Sequence, residues 1–224
     1  MKIVNRRQFL ETSLAAGALL SVGGLLPRSA YPAQPETAQL PGLKNTGGNV
    51  VLNVLQKRAS SRDFSPEPIP APVLTNLLWA AFGINRPNGH RTAPSANNRQ
   101  DIDIYVTTAE GLYLYDPKGN VLTRIMTEDI RALTGTQAYV KDAPVNLVYV
   151  SDYAKLSGTD VEKAFYSGAH TGFISENVYL FCAAEGLATV VRAMIDRPRL
   201  AVAMKLRPDQ RITLSQTVGY PKKG

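Results

Sequence analysis

The sequence predicts an α+β fold, and three observations carry that reading. Apolar residues first recur at helical spacing, most clearly as Leu74, Leu77, Leu78 and Phe82. From residue 102 the period changes to two: Ile102, Ile104 and Val106 alternate with polar neighbours, and Leu112 and Leu114 repeat the pattern. A long helical run over 157–185 then leads into a strand, a short helix and a last strand. Strands and helices do not alternate one for one, which argues against a doubly wound parallel sheet. No G-x-G-x-x-G follows a strand, so a Rossmann nicotinamide site is not indicated.

Each element has its own signal. Residues 49–57 read as a short helix with Val50, Val51, Val54 and Leu55 on one side. Pro66, Pro68, Pro70 and Pro72 interrupt the chain, and a helix over 72–82 starts with proline in its first turn and stops at Gly83. Its apolar stripe is core, and Trp79 is placed with it. After the strands at 102–106 and 112–114, Asp116-Pro117-Lys118-Gly119-Asn120 makes a turn into a strand over 121–126. Residues 128–133 read as a short helix capped by Thr127. Residues 144–150 form a valine-rich strand, and 157–185 form the longest helix, closed by Gly186. Gly168 and Gly172 lie four apart in it, a spacing that fits either close approach of a symmetry mate or simple tolerance of glycine. A buried strand over 188–193, a helix over 199–206 closed by Pro208, and a strand over 211–220 complete the order.

Composition bounds the class. The 224 residues are 44% hydrophobic and 19% charged, which excludes disorder and is enough for one domain with a sizeable core. The start of the chain is read as a targeting segment. Asn5-Arg6-Arg7-Gln8-Phe9-Leu10 resembles the twin-arginine export signal, and the apolar run Leu14–Leu26 that follows is too short to span a bilayer, which takes roughly 20 residues. Residues 1–33 are therefore taken as a signal peptide cleaved after Ala30 or Ala33, residues 34–48 as a linker or extended arm, and 49–224 as the folded domain. The expected location is periplasmic or otherwise exported. Twin-arginine export carries folded proteins, which suits a chain loaded with its cofactor beforehand. Of the formal charge of +7, the leader supplies +3. The remaining +4, with no interleaved basic-aromatic stripe, does not indicate nucleic acid. Cys182 is the single cysteine and reads as a small core residue. His90 and His170 are isolated, so no metal site is expected. His90 falls in a loop with Asn88 and Arg91 that can line a substrate face, and His170, mid-helix, reads as structural.

Two polar clusters carry the chemistry. Arg58-Ala59-Ser60-Ser61-Arg62-Asp63-Phe64 places two guanidiniums and two hydroxyls at a helix end, a donor set suited to phosphate oxygens. Pro94-Ser95-Ala96-Asn97-Asn98-Arg99-Gln100 offers amides and hydroxyls able to read the edge of a heteroaromatic ring. Together they suggest a phosphorylated, planar cofactor.

These residues, in this order, resemble the nitroreductase family of flavoproteins. Arg58, Ser60, Arg62 and Phe64 match its R-x-S-x-[KR]-x-F, and Ser95, Asn98 and Gln100 its P-S-x-x-N-x-Q. Residues 185–192 resemble its G-L-x-T segment, and Val218-Gly219-Tyr220-Pro221 its closing V-G-Y-P. The resemblance covers roughly residues 48–224 and is nearest to the SagB/ThcOx-type dehydrogenase branch. It implies a mixed, largely antiparallel sheet flanked by helices, and a homodimer with FMN at the interface. By the same resemblance Arg58 and Ser60 meet the phosphate, and Arg62 sits by the pyrimidine edge, where a cation stabilises the reduced ring. Asn98 and Gln100 read the ring. A backbone N–H of Val191, Arg192 or Ala193 faces N5, and Lys222 with Lys223 completes the phosphate site. The implied activity is ping-pong two-electron transfer between a donor, NAD(P)H or a quinol or redox protein, and a small electron-poor substrate. The alternatives are an azoline-type substrate dehydrogenase and a non-catalytic flavin-binding protein.

Overall fold

The computed structural model describes residues 49–222. The signal peptide, the linker and Lys223 of the sequence reading lie outside the described residues. Among those described, no helix is long and apolar enough to cross a membrane.

The centre is one six-stranded sheet. Its strands are β1 (Ile102–Thr108), β2 (Gly111–Asp116), β3 (Val121–Met126), β4 (Val145–Asp152), β5 (Ala188–Arg192) and β6 (Gln210–Gly219). Their order is β3-β2-β1-β4-β6-β5, and every pairing is antiparallel. The expected α+β sheet is thus present, and antiparallel throughout. Strands β1 to β3 form a meander, as their tight turns require. Strand β4 is buried along its whole length, which explains its near-continuous apolar run.

Among the described residues four α-helices accompany the sheet: α1 (Val50–Lys57), α2 (Ala71–Phe82), α3 (Asp160–Glu185) and α4 (Arg197–Ala203). Helix α3 is 26 residues long and opens with a capping box between Thr159 and Glu162. It ends at Gly186, whose φ of +71° is the left-handed cap that glycine adopts freely. One face of the sheet packs on α2 and α3 through Leu77, Phe82, Leu147, Tyr149, Ile174 and Val178. The other gathers Leu112, Ile130, Val148, Val150, Leu200 and Ile212. Cys182 is buried in the first core, as its apolar helical setting predicts.

Three local expectations are corrected. Residues 128–133 give a single 3-10 turn, Arg131–Leu133, and Thr127 caps nothing; Asp129 instead accepts from Arg131 N (3.0 Å) and pairs with its guanidinium (2.7 Å), holding a turn. Helix α4 starts two residues earlier than expected, because Asp196 accepts from Arg199 N (3.1 Å) and Pro198 fits the first turn. Trp79 is not core: it is 45% exposed and its indole N–H donates to Ile84 O (3.1 Å). On the apolar side of α1, Val54 is half-buried while Val50, Val51 and Leu55 are exposed among the described residues.

Candidate functional site

Helix α1 ends where Arg58 turns to extended geometry, and residues 58–64 run along the outer edge of β5. Ser61 N donates to Thr189 O at 2.9 Å, so this segment partly covers the free edge. Its far end pairs with the C-terminus: Ser65 N donates to Tyr220 O (2.9 Å), Phe64 bridges Pro221, and Lys222 N donates to Asp63 O (3.3 Å). Gly219 is needed at that junction, since a Cβ there would stand 2.9 Å from the rigid Pro144 ring and 3.3 Å from Phe64. Arg58, Ser60, Arg62 and Lys222 are thereby brought to one edge of the sheet.

Tyr179 of α3 organises that edge. Its hydroxyl shares a 2.9 Å hydrogen bond with Ser60 Oγ and accepts from Val191 N at 2.9 Å. The Arg58 guanidinium stacks over its ring at 5.2 Å. The sequence reading missed Tyr179. The signal was available: a tyrosine on the buried stripe of a helix must find a partner for its O–H.

Strand alternation sorts the three backbone candidates. Thr189 O and Val191 N face away from β6, so residues of odd number turn their backbone polar groups to the free edge. Val191 therefore presents its N–H outward, while Arg192 turns its own toward β6; Ala193 follows just past the end of the strand. The Arg192 side chain is buried on the opposite face, where it donates to Thr134 O (2.9 Å) and Asn146 Oδ1 (2.8 Å). Burial pulls this guanidinium down to about 10, still charged at neutral pH. Among the described residues, none of Arg58, Arg62, Arg192 and Lys222 is in an ion pair. Arg58, Arg62 and Lys222 thus bring positive charge to this edge without an ion-pair partner among the described residues.

The second cluster is held differently. Asn97, Asn98 and Gln100 all take positive φ (51°, 52° and 47°), conformations that asparagine tolerates and glutamine resists. Gln100 is fixed by its own bonds: Oε1 accepts from Arg91 Nε (2.9 Å), and Nε2 donates to Gly89 O (3.0 Å) and Asn98 Oδ1 (2.9 Å). Its backbone N–H donates to Ser95 Oγ at 2.9 Å. Gln100 thus shapes the loop, and the Asn98 NH2 is left facing outward. Ala96 N donates to His170 Nε2 (2.8 Å), which places the imidazole proton on Nδ1, 2.6 Å from Asp101 Oδ1. Ser151 Oγ donates to the other Asp101 oxygen at 2.7 Å. His170 is therefore a buried anchor for this loop, on a network the sequence did not reveal.

The two clusters do not meet within one chain. Their anchors, Tyr179 and His170, are nine residues apart on α3, about 13.5 Å along the axis and half a turn around it.

Comparison with known proteins identifies the family. The profile described as "Nitroreductase family" matches residues 55–220. "Putative nitroreductase MJ1384" of Methanocaldococcus jannaschii is 31% identical over 149 residues, which is 62% of this chain and 75% of that protein. The crystal structure of a "putative nitroreductase" from Ralstonia eutropha JMP134 superposes with a TM-score of 0.75 at 39% identity, covering 91% of this chain and 98% of that one. A second structure, a "putative nitroreductase in complex with FMN" from Desulfovibrio desulfuricans, shares the fold at 21% identity with a TM-score of 0.58, covering 78% of this chain and 88% of that one. The chain belongs to the nitroreductase family and is an oxidoreductase of that family.

Proposed function

We propose that the β5 edge of one protomer and the Ser95–Gln100 loop of a second together hold FMN, and that the pair moves two electrons between a donor and a small electron-poor substrate. The observation that carries this reading is that Arg58, Arg62 and Lys222 line one strand edge without ion-pair partners among the described residues, while a separate loop turns an amide NH2 outward. The donor set fits the group: Arg58, Ser60 and Lys222 suit a phosphate, Arg62 suits a ring edge that gains negative charge, and the N–H of Ala193 or Val191 suits N5. Val191 already donates to Tyr179, which leaves Ala193 as the better candidate. Arg192 acts by its buried charge and not by its backbone.

When bound, the flavin supplies hydride transfer at N5. The residues of the chain bind it, orient it and favour its anionic reduced form. On this reading the reaction is ping-pong: donor and acceptor would use the flavin held by these residues in turn. The separation of the two clusters along α3 supports a homodimer, as does the open face of that helix. Phe165 and Phe173 are exposed there, and a Cβ on Gly168 or Gly172 would meet nothing within 4 Å.

The twin-arginine resemblance supports export of the folded, loaded protein. That setting favours a quinol or redox-protein donor over NAD(P)H. The SagB/ThcOx-type resemblance concerns direction: such an enzyme oxidises its substrate and passes the electrons on. One anaerobic stopped-flow panel tests the reading by asking which compounds reduce the oxidised flavin and which reoxidise it. Protein that stays colourless after reconstitution with FMN, or flavin that no donor reduces, refutes it.

A further inference from the structure

Beside the Ser95–Gln100 loop lies a cavity of about 260 Å³ whose wall is made by Arg86, His90 and Arg91 together with Ser95 and Asn98. Residues 84–91 form a narrow loop closed by a bridge between Ile84 and Arg91 and by Asn85 N to His90 O at 3.1 Å. Gly89, at φ +79°, makes the turn, and Gln100 ties its carbonyl to the second loop.

The hydrogen-bond inventory of this wall is one-sided. Asn98 Oδ1 already accepts from Gln100 Nε2, so its free end is the NH2 donor. Ser95 Oγ already accepts from Gln100 N, so its hydroxyl proton is free to donate. Arg86 gives Nε to Asn85 and Nη2 to Arg91 O, which leaves Nη1. Arg91 gives Nε to Gln100 and Nη1 to Phe82 O, which leaves Nη2. His90 Nδ1 is buried and has no partner. Neither arginine is in an ion pair among the described residues. Burial also holds the Arg91 guanidinium below its ordinary range, as expected of a cation short of a counter-ion. Gln100 has consumed the Ser95 and Asn98 acceptors, which leaves their donors and two guanidinium edges on the wall, with His90 Nδ1 donating or accepting according to its tautomer.

We propose that this cavity is an oxyanion subsite that selects acidic substrates by binding their carboxylate. The proposal rests on the flavoenzyme reading for what happens next to the bound acid, but not for the binding itself. At about 260 Å³ the space is smaller than the ~300–1,000 Å³ of ordinary ligand clefts, so it suits a one-ring or short aliphatic acid and not a whole nucleotide. The other source of the same chemistry is the phosphate of the flavin.

The test is equilibrium titration of the purified protein with benzoate and with benzyl alcohol. It is read by the fluorescence of Trp79, the single tryptophan, whose indole is bonded to Ile84 at the base of the loop. Affinities for FMN and riboflavin are measured alongside. The proposal expects benzoate to bind at least tenfold more tightly than benzyl alcohol. Arg86→Gln should erase that preference while leaving benzyl alcohol and FMN affinities in place. Equal binding of the two probes in the parent overturns the proposal, as does a preference that survives Arg86→Gln. If Arg86→Gln instead lowers FMN affinity to that of riboflavin, the cavity holds the phosphate and the acidic-substrate reading is wrong. A protein that takes no flavin yet still prefers benzoate would refute the flavoenzyme reading and keep the subsite.

Discussion

Replacing Tyr179 with phenylalanine removes one oxygen and leaves its ring beneath Arg58. That oxygen carries two hydrogen bonds of 2.9 Å, to Ser60 Oγ and from Val191 N. Ser60 is exposed, so its hydroxyl regains water and the loss there is about 0.5 kcal/mol. The Val191 N–H fares worse: Tyr179 is 6% exposed, and without the hydroxyl this donor sits against an aromatic edge, at a cost of about 1–3 kcal/mol. The sum, about 1.5–3.5 kcal/mol, lowers Tm by roughly 3–12 °C for a domain of this size. Thermal unfolding of the cofactor-free protein, followed by circular dichroism, measures it. Ser60→Ala in the Tyr179→Phe background should then cost almost nothing, because the shared bond is already gone. A shift below about 1 °C, or two substitutions that simply add, would refute the claim that this hydroxyl pins residues 58–62 to β5.

Other expectations follow from the same packing. Burial pushes the Cys182 thiol up to about 12 from an unfolded value of 9. Between those values the unfolded chain binds fewer protons, so this stability is complete below pH 9 and declines as pH rises. The loss is about 1.4 kcal/mol by pH 10. Cys182→Ala should flatten the alkaline limb of denaturant-measured stability relative to the parent, and parallel limbs would count against it. Gly135→Ala should destabilise by about 1–3 kcal/mol, because the new Cβ collides with Arg192 Nη1, held by Thr134 O, and stands 2.8 Å from Gln137 Oε1. Unchanged urea midpoints would contradict that. Asp101→Asn should cost at least about 2 kcal/mol and speed amide exchange at Ala96, since His170 loses the carboxylate that sets its tautomer. Unaltered exchange at Ala96 would show the anchor to be dispensable.

The fold was largely legible because its signals are local. Period-two alternation located β1, β2 and β3, and Gly83 and Gly186 marked the ends of α2 and α3. What failed was local too: Thr127 looked like a cap, but Asp129 took the backbone donor first, and the periodicity around Trp79 did not reveal that α2 turns that position outward. The site was legible as clusters and not as a network. Arg58, Ser60, Arg62 and Lys222 could be gathered by motif, and the structure sets them along one edge. Tyr179, His170 and Asp101 could not, because their partners lie 119, 74 and 50 positions away in the chain. Gln100 shows the limit of reading a residue type alone: its amide was assigned to the ring, and it is spent on Arg91, Gly89 and Asn98.

FMN titration of the parent against the Arg58→Ala, Arg62→Ala double variant bears most directly on the whole account. Two charge-assisted contacts at about 1.5–3 kcal/mol each amount to a loss of at least about 100-fold in affinity, so after equimolar loading and desalting the parent should stay yellow and the variant should elute colourless. Equal retention of the chromophore by both proteins would contradict the assignment of this edge as the phosphate grip.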